Sequence, residues 1–355
     1  MHKRTKGAVA GLVIVLFFVW LAFFQTNFFP FLFQLVFNKG VNLRESDGRI
    51  NVLILGTSGK NHEGPNLTDT IIFASINPAK NNVTLVSIPR DLWVPSLSEK
   101  ANTAYAKGGL PLAEKTVSRI LNKPVGYGMR LNFDGFVRAV DLVGGVDLKI
   151  DKSFDDFEYP IEGKENDPCG HKQDDLASLA SASSQLKEFP CRYKTIHFDK
   201  GLQHLNGEKA LEYVRSRHAQ GDEGTDFARS ARQEKVIKSF KNKIFSLETV
   251  LNPIRLISLY ATLKGNVDTD VKKEELDDFV RLFQGLKNTK VESAVIDFGD
   301  DLKKRPGLLI HPQISSEYNY EWVLIPRIGN GNFQEIQGYV DCEITLGGCS
   351  TSALP

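Results

Sequence analysis

The sequence predicts a layered domain of the α/β or α+β class, carried behind one membrane-spanning helix. Three observations predict it. An uncharged run, "GAVAGLVIVLFFVWLAFF", fills Gly7 to Phe24 behind a basic flank of Lys3, Arg4 and Lys6. Short β-branched runs bounded by turn residues occupy the stretch from Ile50 to Ile88. Beyond residue 100, segments with apolar residues recurring at three and four positions take over, which is the period of a helix with one buried face.

The N-terminal run is about 27 Å long as a helix, and the apolar "FFPFLFQLVF" from Phe28 extends it enough for a bilayer of about 30 Å. The basic flank precedes it, so the first six residues are expected in the cytoplasm and everything beyond about residue 40 outside. Cleavage as a signal peptide is disfavoured because bulky Phe replaces the small residues of a cleavage site. A buried core helix is the less favoured alternative, since such helices rarely begin six residues into a chain. The predicted order is therefore a cytoplasmic tail (1–6), an anchor with its apolar extension (7–37), a linker (38–47), one external domain (48–340) and a Cys-containing tail (341–355).

Within that domain "INVLILG" (50–56), "TIIFASI" and "NVTLVSI" are expected strands, the last two joined as a hairpin through "NPAKNN". Expected helices are "LPLAEKTVSRIL", "FDGFVRAVDLV", the segment after Asn206, "ARSARQEKVIKSFKNKIFSL", "NPIRLISLYATL" and "KEELDDFVRLFQGL". Residues 155–195 are polar and read as a surface insertion. The four cysteines, Cys169, Cys191, Cys342 and Cys349, all lie on the side predicted to be oxidising. Three connectivities are open; the local pairs 169–191 and 342–349 are the simplest, and a zinc site is the rival, weakened by the lack of any Cys-x-x-Cys.

Lys and Arg total 44 against 43 Asp and Glu, so no global field draws the chain to nucleic acid or an acidic surface. Positive charge is concentrated locally in "YVRSRHAQGDEGTDFARSARQ", which holds Arg215, Arg217, Arg229 and Arg232. On a helix Arg229, Arg232 and Gln233 share a face, with Thr225 or Asp226 as its cap. Arg215 and Arg217 align only if their segment is extended. Guanidinium groups that converge repel one another unless a multivalent anion sits between them, and their planar forks match phosphate oxygens. Pairing with Asp222, Glu223, Asp226 and Glu234 on a solvated face is the plainer alternative. Asp69 at the entrance to the second strand, and Arg90 and Asp91 just after the third, add a carboxylate for a hard cation and further phosphate donors. The basic cluster lacks interleaved aromatics and lies across the membrane, so nucleic acid is not an expected partner.

The segments "LTDTIIFASINPAKNNVTLVSIPRDLWVP", "KANTAYAKGG", "RLNFDGFVRAVDLVGGVDL", "GLQHLNGEKALEYVRSR" and "DFARSARQ" together resemble the catalytic domain of the LytR-CpsA-Psr family, over roughly residues 48–340. The resemblance implies a three-layer α/β/α sandwich with a central mixed sheet and an apolar lipid tunnel. It also implies an activity: moving a glycopolymer such as a teichoic acid or capsule polysaccharide from a polyprenyl-pyrophosphate carrier to a hydroxyl of peptidoglycan. Under it Asp69 holds Mg2+, or Mn2+; Arg90, Arg215, Arg217, Arg229 and Arg232 bind the pyrophosphate, with Gln233 completing the cradle; Arg130 matches as well. One departure stands out. Where the family reads Gly-x-Asp-x-Arg after its first strand, this chain has Gly56-Thr57-Ser58-Gly59-Lys60, so Ser58 replaces a second metal-side carboxylate, and Asp91 or water is left to fill the gap. His62 nearby is a conceivable ligand, though a single loop histidine is more often solvated.

In the implied reaction the hydroxyl attacks the sugar-bound phosphorus and polyprenyl phosphate departs with added charge, with Asp69 or Asp91 as candidate base. Two rivals use the same residues: a pyrophosphatase acting on polyprenyl or nucleotide pyrophosphates, with water as nucleophile, and a non-catalytic module that binds lipid-linked anions.

Overall fold

The computed structural model describes residues 41–59, 64–172, 179, 185–244, 266–286, 289–300 and 305–351. The expected membrane helix, Lys60, His62 and the "NPIRLISLYATL" segment lie outside these residues. Among the described residues no helix is long and apolar enough to cross a membrane.

A six-stranded mixed sheet organises the domain. Its strands are β1 (Ile50–Thr57), β2 (Thr68–Asn77), β3 (Asn82–Ser87), β4 (Tyr127–Asn132), β9 (Val267–Thr269) and β10 (Lys290–Val295), in the order β9-β4-β1-β2-β3-β10. β2 and β3 form the expected hairpin, with Ile72 opposite Ser87 and Asn77 opposite Asn82. β4 runs parallel to β1, and β10 parallel to β3. The C-terminal ends of these four strands therefore open on the same edge of the sheet, where ligands of open α/β sheets gather.

Alternation along the strands separates two cores. Leu53, Leu55, Ile71, Phe73 and Val86 pack on one face under α1 (Thr103–Leu121) and α6 (Gln334–Thr345). Ile50, Val52, Ile72, Ala74 and Leu85 pack on the other, with Phe279 and Leu282 of α5 (Leu276–Gly285) and Ile237 of α4 (Asp226–Ile244). Helices thus cover both faces. Ala113, Val117, Ile120 and Leu121 supply the apolar stripe of α1. The helix breaks at Gly108-Gly109, where Gly109 takes φ +62°, and Pro111 opens its second part. The tail from 341 is not separate: α6 runs through Cys342, and Ile336, Tyr339, Val340 and Ile344 bury it in the main core. Three apolar residues precede Cys342 at helical spacing, which outweighs the short loop that follows.

A smaller core joins α2 (Phe133–Leu142) and α3 (Gly207–Arg215) to two antiparallel strand pairs, β5 (Val146–Ile150) with β8 (Gly201–Leu205) and β6 (Phe154–Pro160) with β7 (Tyr193–Phe198). The polar stretch read at 155–195 is correspondingly shorter, a loop between β6 and β7 closed by a Cys169–Cys191 disulfide. The second disulfide joins Cys342 to Cys349. The sequence "NGEKA" starts α3 for a clear reason. Asn206 Oδ1 accepts from Lys209 N at 2.9 Å, Gly207 N donates to Asp141 Oδ1 at 2.7 Å, and a Cβ on Gly207 would meet Val137 O at 2.2 Å. Only glycine lets α3 approach α2 that closely.

At the opposite edge of the sheet, Glu114 of α1 has a buried Oε1 without a hydrogen-bond partner. Burial, then the nearby charge of Asp270, push its carboxyl up to about 7 despite Arg44, which pulls the other way. Between about pH 4.5 and 7 the folded chain holds a proton there that the unfolded chain has released, so this residue's effect is to lower stability as pH rises through that window. Glu114→Gln is expected to stabilise the protein by about 2 kcal/mol at pH 8 and by almost nothing at pH 5. Thermal denaturation at the two pH values checks this.

Candidate active site

The chain leaves the sheet edge through several short turns, and some of the charged residues singled out by sequence are carried there. Asp69 sits at the start of β2 and accepts from Arg90 Nη1 at 2.5 Å; Arg90 Nε lies 3.3 Å from Asp91 Oδ2. Burial lowers the Arg90 pKa, but Asp91 and Asp69 more than offset it, and the net shift is upward. Lys100 closes the group, 3.6 Å from Asp91 Oδ1 and 2.6 Å from Glu321 Oε2.

The second group hangs on the smaller core. Arg215 is the last residue of α3 and Arg217 follows past Ser216 in extended backbone, so the pair straddles a helix end rather than lying along one strand. The guanidinium of Arg215 lies 4.2 Å from the Phe133 ring centroid and 5.5 Å from that of Tyr159, which fixes its plane. Phe133 directly follows Asn132, the last residue of β4, so Arg215 is carried to the sheet edge beside Thr57. Asp156, 1% exposed, holds the turn: its Oδ2 accepts from Ser216 Oγ (2.7 Å), Arg217 N (3.1 Å) and His218 N (3.2 Å). Thr225 caps α4 by accepting from Ala228 N at 3.1 Å. Asp226 begins that helix, and its side chain lies outside the described set.

Arg229 and Gln233 occupy the first turns of α4, and Ser230 between them bonds Ser87 Oγ at 3.0 Å, at the end of β3. This contact brings the start of α4 to the strand end from which Arg90 emerges three residues later. Gln233 also lines a cavity of about 10 Å³ between α4 and the sheet, with Ile72, Leu85 and Ser293. That is space for about one water.

Two of the expected phosphate ligands stand elsewhere. Arg232 is 2% exposed, and its nitrogens donate to Tyr213 O (2.9 Å), Ser216 O (2.7 Å) and Glu223 O (2.8 Å), with Glu223 Oε2 at 3.2 Å. It fastens the 213–223 backbone from beneath instead of presenting a fork to the cleft. Burial lowers its pKa from the ordinary value, with Glu223 opposing. Arg130 turns towards α1, where Nε donates to Tyr105 Oη at 3.0 Å and Nη1 approaches Asn266 O at 3.5 Å.

The profile of the LytR_cpsA_psr family matches residues 34–306. The chain belongs to this family. Among its relatives is the polyisoprenyl-teichoic acid–peptidoglycan teichoic acid transferase TagU of Bacillus cereus, 28% identical over 258 residues, 71% of each chain. Solved structures share the fold: protein gbs0355 of Streptococcus agalactiae, with TM-score 0.56, 22% identity and coverage of 83% of this chain and 88% of that one, and TagV of B. subtilis, with TM-score 0.54, 22% identity and coverage of 84% and 98%.

At this edge Asp69 stands at the start of β2, and Ser58, just past β1, is buried. Among the described residues the sole cluster of three metal-type side chains is Asp167 with Cys169 and Cys191, whose sulfurs are already bonded to each other. Beside Ser58, however, Thr57 pairs with Thr68 across the strands and has a buried hydroxyl without a partner. An orphan oxygen at the strand end and the Asp69 carboxylate suit a hard cation that draws the rest of its shell from phosphate and water, as Mg2+ commonly does.

Sequence reasoning missed Asp156, Phe133, Tyr159 and Lys100 as parts of the site. Phe133 stands inside the quoted "RLNFDGF", but nothing local announces that an arginine more than eighty residues later stacks on it.

Proposed function

We propose that this protein transfers a glycopolymer from a polyprenyl-pyrophosphate carrier to a peptidoglycan hydroxyl at the outer face of the membrane, anchored there by its N-terminal apolar run. The observation that supports the reading is that the Arg90–Asp69 pair, the ring-stacked Arg215 and the first turns of α4, tied to the end of β3 by the Ser230–Ser87 bond, all lie at one edge of the sheet. The name of the Bacillus cereus relative, a teichoic acid transferase, supports an anionic wall polymer as cargo.

In this reading Arg215, locked between Phe133 and Tyr159, and Arg217 and Arg229 beside it bind the non-bridging oxygens. The acceptor oxygen forms a bond to the sugar-bound phosphorus as the bond to the bridging oxygen breaks, and polyprenyl phosphate leaves carrying the electron pair. The guanidinium groups stabilise that growing charge more in the transition state than before it. Asp69 or Asp91, both held by Arg90 at rest, takes the proton of the acceptor hydroxyl once phosphate competes for Arg90. A Mg2+ bound through Asp69 and the Thr57 hydroxyl would neutralise pyrophosphate charge at the same place. Arg232 acts by positioning: it keeps the 213–223 backbone in the shape that aims Arg215 and Arg217.

The test is product analysis. Full-length protein, lipid-linked glycopolymer, peptidoglycan and Mg2+ are expected to yield a phosphodiester-linked conjugate by mass spectrometry. Release of free glycan phosphate alone would replace the reading with a pyrophosphatase, and binding without turnover with a non-catalytic module.

A further inference from the structure

Exposed large apolar side chains concentrate late in the chain: Phe298, Ile310, Ile314, Tyr320, Trp322 and Ile328 are between 41% and 74% exposed. All but Phe298 lie beyond residue 306, where the family match ends. Two of them sit on a rigid base. The Trp322 ring stacks on His311, centroids 5.0 Å apart and planes 24° apart, and His311 Nδ1 donates to Val323 O at 2.9 Å. One face of the indole is thus covered and the residue remains 46% exposed. Beneath, Val323 is fully buried and Trp93 meets Tyr318 edge to face at 5.4 Å. Tyr320 is 74% exposed and holds φ +57°, with its N donating to Ser315 O at 2.9 Å. A tyrosine in left-handed backbone is costly, and here the cost brings no core burial.

This surface is continuous with the candidate active site. Glu321, between the two aromatics, bonds Lys100, which reaches Asp91. Leu324 N donates to Asp91 O at 2.9 Å, and Trp93 N to Leu324 O at 2.8 Å. Charge narrows what can bind. Glu317 precedes Tyr320 and Glu321 separates it from Trp322, no Lys or Arg occurs between Gly307 and Pro326, and Lys100, which reaches this loop, is shared by Glu321 and Asp91. An anionic bilayer surface or an anionic polymer would be repelled. A neutral sugar chain would not: its C–H faces stack on aromatic rings and its hydroxyls donate to carboxylates.

We propose that Trp322 and Tyr320 form a stacking platform for a neutral saccharide strand, the acceptor glycan in the reaction, which the loop of residues 318–324 leads towards Asp91. The proposal rests on the transferase reading for the word acceptor, but its test reads binding alone. Full-length protein in detergent micelles is titrated with the 1,4-linked tetrasaccharide of N-acetylglucosamine and followed by saturation-transfer NMR. Wild type is expected to bind, and Trp322→Ala and Tyr320→Gly to weaken binding at least 10-fold with unchanged melting; glycine suits the left-handed backbone at 320. Absence of binding to wild type, or equal binding by the variants, overturns the platform. So does fluorescence quenching by brominated phosphatidylglycerol, in full-length Trp20→Phe protein in nanodiscs, that disappears when Trp322→Ala is added, which would make the patch a membrane contact. Saccharide binding with no conjugate formed in the transfer assay would instead refute the transferase reading and leave the platform standing.

Discussion

Replacing Arg215 with alanine is expected to lower transfer about 100-fold or more while the protein remains folded. The side chain makes no backbone hydrogen bond that the fold requires. Its structural contacts are the rings of Phe133 and Tyr159 and a long approach to Tyr159 Oη at 3.5 Å, worth about 1 kcal/mol together. Its value lies in a guanidinium plane aimed before substrate arrives. The loss should therefore fall mainly on kcat, and Arg215→Lys should recover little, because an ammonium offers a point charge and not a fork. Arg229→Ala should behave in the same way. Near-wild-type turnover by purified, folded Arg215→Ala would remove this residue from the reaction.

Arg232→Ala should fail differently. Three backbone carbonyls and Glu223 lose their donor, those of Tyr213 and Ser216 at a buried site. Removing one partner from such an arrangement costs roughly 3–5 kcal/mol. Urea denaturation should show that loss, and transfer should fall with it because the turn bearing Arg215 and Arg217 slackens. Arg232→Met, which refills the volume but donates nothing, should recover only the packing part. Unchanged stability in Arg232→Ala would contradict a positioning role. Side by side, the two alanine variants separate a group that meets substrate from one that holds the backbone.

Much of this architecture was legible in the sequence where the signal is local. The β2–β3 hairpin follows from two β-branched runs around "NPAKNN", the α3 start from Asn206-Gly207, and the local disulfides from short cysteine spacings. The division of labour among the arginines was not. Arg229 and Arg232 are three residues apart, which leaves about 60° between their directions on a helix. That angle is enough to set one at the rim and send the other underneath, and only the packing of α4 against Tyr213 and Glu223 decides which. Asp156 was invisible for another reason. It stands in a polar stretch, "DDFEYP", and its partners lie some sixty residues ahead, so no periodicity or motif marks it. The aromatic bed of Arg215 is likewise assembled from β6 and α2, two segments with no pattern in common.

The central claim is that Arg90, Arg215, Arg217 and Arg229 share one diphosphate. The most direct measurement is a crystal structure of the protein with farnesyl pyrophosphate and Mg2+. The account predicts diphosphate oxygens about 3 Å from the guanidinium nitrogens of Arg215, Arg217 and Arg229, with Arg90 drawn from Asp69 towards the same group. Diphosphate bound elsewhere, with Arg90 still paired to Asp69 and Arg215 still closed between its two rings, would contradict it.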